Sequence, residues 1–283
     1  MADVGGKPFI PNGFTLIEMV MVIVITGIIG AITATFIQKP LEAYFDAAAR
    51  ADLSDAADTA LRKIQRDVRR ALPNSVRTTT SGGVHYLELA PTLAAGRFEN
   101  STAANCFTAT KCSALVVLGN LIDSANAYAG NKLVVFNASN NSSGGCAATS
   151  VYCSNNVVTI SGSTAATGSP LKGSFTFSPA VQINSGGTTA AHRFQVVDSP
   201  VSYVCNPTAG TLRRYWGYAF QADQPTSFST GSSALLADHA SCSFSYQVGS
   251  LEHSMFGLSL TLSNVEGTES VSLYHEVAVN NVE

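Results

Sequence analysis

Glu18 is the only formally charged residue between Phe14 and Ile37. An unpaired carboxylate in a run this apolar costs a few kcal/mol in lipid, so its presence calls for a partner. A lone chain could still carry it to the headgroups, because it lies near the start of the run. The other residues able to do chemistry give no enzyme pattern. Cys106, Cys112, Cys146, Cys153, Cys205 and Cys242 contain no C-x-x-C pair, and no histidine stands at zinc-like spacing from them. His85, His192, His239, His253 and His275 are scattered. Neither G-x-S-x-G nor H-E-x-x-H occurs, and no P-loop or G-x-G-x-x-G is present. Asn264, Glu266 and Glu269 flank Gly267 and could offer oxygens to Ca²⁺, but their spacing matches no defined loop and suits a hairpin turn. No catalytic residue, metal or cofactor is therefore expected.

Composition narrows the classes further. Charged residues make up 12% of the 283, about half the usual share of roughly 25%. The net charge of -3 gives the whole chain no footprint for nucleic acid. An even cysteine count, all of it after the apolar run, favours disulfides in an oxidising compartment.

The apolar run must position Glu18. From Phe14 to Ile37 it would form a helix of roughly 36 Å, enough to cross a bilayer. It is too long for a cleaved secretory signal, and no A-x-A site closes it. A plain anchor explains its length but not its carboxylate. A third reading removes the leader before the run and keeps the run itself. Gly13-Phe14-Thr15-Leu16-Ile17-Glu18 resembles the processing signal of type IV pilins and type II secretion pseudopilins.

The resemblance implies cleavage between Gly13 and Phe14 by a prepilin peptidase and N-methylation of Phe14. Residues 1–13 would be a cleaved leader on the cytoplasmic side. Residues 14–37 would be a single inner-membrane helix, followed by a periplasmic domain. Charge does not fix this orientation, since Lys7 and Lys39 flank the run on either side. Cleavage frees an amine on Phe14 that can meet Glu18 of a neighbouring subunit. At about 4 Å and an effective dielectric near 20, that pair gains on the order of 4 kcal/mol before desolvation. Glu18 would thereby set subunit register. Gly27 and Gly30 each weaken a helix by about 1 kcal/mol, though glycine also permits close helix packing. Pro40 is expected to kink or break the helix near Ile37.

An amphipathic helix is expected over residues 38–72. Its apolar positions include Ala57, Leu61, Ile64, Val68 and Leu72. Asp46–Arg50, Asp58–Arg62 and Lys63–Asp67 have i,i+4 spacing on the polar side. Arg66, Arg69 and Arg70 match the helix dipole at the end, and Pro73 stops it. The stripe needs a sheet to cover. Residues 73–283 supply eleven strand-like runs: 84–90, 115–118, 132–136, 157–160, 174–177, 193–197, 201–205, 212–219, 243–248, 257–262 and 271–279. No long helix interrupts them, so the fold class is α+β: a long N-terminal helix on an antiparallel, sheet-rich domain. Six cysteines allow 15 pairings. Locality favours Cys106–Cys112, Cys146–Cys153 and Cys205–Cys242. Tyr215, Trp216 and Tyr218 share one strand run and are read as core, because Tyr215 and Trp216 face opposite sides.

Two later stretches extend the resemblance: His192 to Cys205, and Gly210-Thr211-Leu212-Arg213-Arg214-Tyr215-Trp216-Gly217-Tyr218. With the tail from Val271 to Val282, they resemble MshO-type minor pilins of mannose-sensitive haemagglutinin (MSHA) pili. Those proteins are similar to J-type pseudopilins. The resemblance implies an assembly role, with other minor pilins, the major pilin and an inner-membrane assembly platform as partners. Nucleic acid is not expected among them; the alternatives are a J-type pseudopilin of a type II secretion system and, behind it, a DNA-uptake minor pilin.

Overall fold

The computed structural model describes residues 13–99, 106, 111–141, 146–147, 149–154, 156–183, 192–248 and 253–281. The expected leader, apart from Gly13, lies outside these residues. The chain divides into two compact units at Ala51/Asp52.

The first described residues outside a loop begin α1 (Leu16–Arg69). Within the first unit its apolar side chains are exposed on every side. The hydroxyls of Thr26, Thr33 and Thr35 turn back onto carbonyls of the preceding turn, as in Thr33 Oγ1 to Ile29 O at 2.7 Å. That satisfies them without water. The expected break near Ile37 does not occur, and Pro40 lies inside the helix. Proline removes only its own N–H bond, to the Phe36 carbonyl, at a local cost of about 3 kcal/mol. The helix formers on both sides, among them Leu41, Glu42 and Ala43, favour its continuation.

In the second unit α1 buries Ala57, Ala60, Leu61, Ile64 and Val68, a stripe with spacings of three and four. The helix ends at Arg69, short of the expected Leu72. The backbone beyond it is captured instead. Leu72 N–H donates to Ala90 O at 2.7 Å, and Thr92 N–H donates to Arg70 O at 2.8 Å.

Every strand pairing is antiparallel. One five-stranded sheet has the order β1-β2-β10-β11-β12. Its strands are β1 (Arg77–Ser81), β2 (Val84–Leu89), β10 (Val201–Asn206), β11 (Thr211–Trp216) and β12 (Ser232–Asp238). A three-stranded meander joins β13 (Ala240–Val248), β14 (His253–Ser263) and β15 (Ser270–Asn280). The α1 stripe shares one core with both sheets, including Leu87, Tyr203, Leu212, Phe256, Leu260 and Val277.

Between neighbouring strands β2 and β10 the chain makes an excursion that builds a second lobe. It contains β3 (Thr92–Phe98), β4 (Cys112–Leu118), β5 (Lys132–Val134), β6 (Val157–Thr159), β7 (Gly162–Thr167), β8 (Lys172–Val181) and β9 (Arg193–Val197). These form a seven-stranded sheet in the order β6-β5-β9-β3-β4-β8-β7. Thr92 pairs with Val197 where the chain enters and leaves, just beyond the Leu89–Val201 pair. The lobe has its own core around Phe98, Leu115, Phe175 and Phe194. Gly96 is needed there, because a Cβ would stand 2.7 Å from the Phe194 ring.

Each of the eleven expected runs meets a strand in the structure, although 84–90, 132–136, 157–160 and 212–219 overrun theirs. Four strands were not expected: β1, β3, β7 and β12. Their sequences, RTTTS, TLAAGRF, GSTAAT and SSALLAD, hold few large apolar residues, so pairing with neighbours decides them.

Candidate processing and assembly site

Gly13 and Phe14 lie in non-helical chain just before α1, and Phe14 is 79% exposed. The bond between them is thus exposed and outside the helix. A Cβ on Gly13 would meet nothing within 4 Å, and the same holds for Gly27 and Gly30. None of the three has the positive φ that favours glycine. The chain's own packing therefore does not require these glycines.

Thr15 and Glu18 open the helix. The Glu18 N–H donates to Thr15 O at 3.1 Å and approaches Thr15 Oγ1 at 3.4 Å. Thr15-Leu16-Ile17-Glu18 has the T-x-x-E spacing of a capping box, a helix-start signal that the family resemblance does not draw on. Glu18 lies in the first turn, where the helix dipole favours an anion. Its side chain is exposed. Helix start and carboxylate are thus placed together within one turn of the Gly13–Phe14 bond.

Apolar side chains exposed around the whole helix circumference mark a segment made for lipid or for other helices. Its most apolar 18-residue window has a mean hydropathy of 2.5, and none of that window is buried.

The cysteines pair as Cys106–Cys112, Cys146–Cys153 and Cys205–Cys242, with Cα separations of 5.1, 5.5 and 6.0 Å. The first two close local loops in the second lobe. Cys205 on β10 and Cys242 on β13 tie the five-stranded sheet to the meander.

Sequence reasoning missed the buried polar centre of the second unit. Arg77 and Glu88 face each other across β1 and β2, fully enclosed, at 2.7 Å. Tyr218 donates to Glu88 at 2.9 Å, so Ser202 supplies the proton in its 2.6 Å bond with Tyr218. The remaining Arg77 donors reach Gln221 O and Ala222 O. The guanidinium lies 3.6 Å from the ring centroid of Tyr152, which belongs to the second lobe. Burial pushes the Glu88 carboxyl above its usual range, although Arg77 and the Tyr218 hydrogen bond oppose that shift. No sequence motif marks this cluster, because its members come from five separate segments.

Lys63 and Asp67 do form the expected i,i+4 pair, at 3.5 Å. Asp67 is nevertheless mostly buried, and it also receives Tyr203 OH at 2.6 Å and Arg214 Nε at 3.0 Å. In the aromatic run, Tyr218 is buried and Tyr215 stacks on Phe228 at 4.3 Å. Trp216 is half-buried, packs on the edge of the main core and lies 5.2 Å from the Arg214 guanidinium. At the β14–β15 turn, Asn264 uses its side chain on Thr268 and the Glu269 N–H.

Residues 11–34 match the prokaryotic N-terminal methylation motif. No curated protein and no solved structure matches the chain. The motif supports a type IV pilin- or pseudopilin-like protein, processed by a prepilin peptidase and working with the partners of a pilus system. Together with the single apolar helix, it is consistent with a membrane-anchored chain.

Proposed function

We propose that this chain is a minor pilin of the MSHA type and a structural assembly subunit, with no catalytic role. In this reading Phe14–Ile37 waits in the inner membrane after cleavage and methylation. The β-rich domain, held in the periplasm, joins other minor pilins, and the complex primes or caps a growing filament. An external motor supplies the energy. The observation that carries the reading is the methylation motif on an accessible Gly13–Phe14 bond, one turn before a carboxylate in a fully exposed apolar helix. The minor-pilin assignment draws its support from the resemblance carried by residues 192–205, 210–218 and 271–282. A J-type pseudopilin of a secretion system shares those features. Because Glu18 implies a neighbour's amine, the subunit sits among partners and not at the outermost tip.

The N-terminal mass of the mature protein tests the processing step. A chain beginning with methylated Phe14 is expected, and Gly13→Ala should abolish that product. An intact leader in the mature wild-type chain, or normal processing of Gly13→Ala, would overturn the cleavage assignment.

A further inference from the structure

A crevice of about 240 Å³ lies where the second lobe joins the main sheet. Its walls come from the end of α1, the start of β3, the β9–β10 turn and β11. Lys63, Arg70 and Arg214 bring three cations to it, against Asp67 and Asp198. Asp67 is already occupied by Tyr203, Arg214 and Lys63. Arg70 is exposed and has no ion pair among the described residues. The free positive charge therefore sits at Arg70 and on the outer nitrogens of Arg214. Asp198 is also exposed and unpaired among the described residues, and it adds an acceptor to the lining.

Pro91, Leu93 and Trp216 line the same crevice. Thr92 Oγ1, in the same wall, is buried without a hydrogen-bond partner among the described residues. A simple anion would use the cations but would leave Asp198 without a donor and the apolar lining uncovered. An acidic side chain on an extended peptide suits all three features. Its carboxylate meets Arg70, its methylenes cover the indole, and a backbone N–H donates to Asp198.

We propose that this crevice binds a glutamate or aspartate side chain from an extended segment of a neighbouring subunit. That partner rests on the assembly role proposed above.

The chain contains a single tryptophan, so Trp216 emission reports on the crevice directly. The full chain in detergent micelles would be titrated with acetyl-Gly-Glu-Gly-amide and with its glutamine counterpart. Galacturonate and inorganic phosphate would be titrated in parallel. A saturable change with the glutamate peptide is expected, at least tenfold weaker with the glutamine peptide, galacturonate or phosphate. Arg70→Gln should weaken glutamate-peptide binding at least tenfold. Arg69→Gln, exposed and outside the crevice, should not. Equal response to the two peptides, no response to either, or unchanged affinity in Arg70→Gln would overturn the proposal. So would galacturonate or phosphate binding as tightly as the glutamate peptide. Failure here leaves the N-terminal mass of the mature chain as a separate test of the assembly role.

Discussion

Two carboxylates, Glu18 and Glu88, depend on their surroundings in opposite ways. Glu18 sits exposed in the first turn of α1, so its partner must be supplied from outside. Glu18→Ala should leave cleavage intact and impair filament assembly, read by pilus counts alongside the mature N-terminal mass. Normal piliation would remove the amine–carboxylate argument. Glu88 has its partner inside, but burial still raises its pKa above the usual carboxylate range. Folding therefore favours the protonated carboxyl. Its contribution to stability is full below the ordinary carboxylate pKa and declines as pH rises through the raised value. Glu88→Gln should flatten that component. Comparing urea midpoints of wild type and variant from pH 4 to pH 8 checks this, and a pH-independent difference would refute the shift. Glu18 was legible because a charge in an apolar run stands out by contrast. Glu88 was not, because it lies in an ordinary strand pattern and acquires meaning only when β1 and the Tyr218 segment close over it.

At the scale of elements, the helix stripe carries most of the main core. Ile64 is fully buried between two sheets. Ile64→Ala should cost about 2–5 kcal/mol by denaturant unfolding, from lost burial and a residual cavity. The Cys205–Cys242 bridge closes 37 residues. Replacing both cysteines with serine should cost about 4 kcal/mol in the chain-entropy model, measured in the same way. The eleven strand runs could be read because their apolar residues alternate or cluster. The pairing order could not, since β2 meets β10 only after more than 100 intervening residues. Pro40 shows the reverse case. A strong local signal for a break was overridden by good helix formers on both sides.

For the whole molecule, charge is spread thinly and is close to balance, at -3. One row on the second lobe departs from that balance. Arg193, Arg97 and Lys172 lie in register with Leu118 across four strands, and Glu99 engages Lys172 at 2.7 Å. A row of three cations is a short footprint beside the phosphate contacts a nucleic-acid binder makes. Retention on DNA at low salt is expected to be absent, and salt-dependent binding would reverse that view. The two lobes are also clasped by side chains. Asn137 donates to Pro73 O at 2.7 Å and accepts from Val151 N–H at 2.7 Å, while Tyr152 OH reaches Ser75 O at 2.7 Å. The entry and exit strands of the second lobe, β3 and β9, nevertheless run side by side. Its two ends thus meet at one point on the main sheet, like the stem of a leaf. A hairpin could be added to or trimmed from its far rim without shifting the register of β2 against β10. Differences in length among related chains are therefore expected to collect there, leaving the helix and the framework that holds it unchanged.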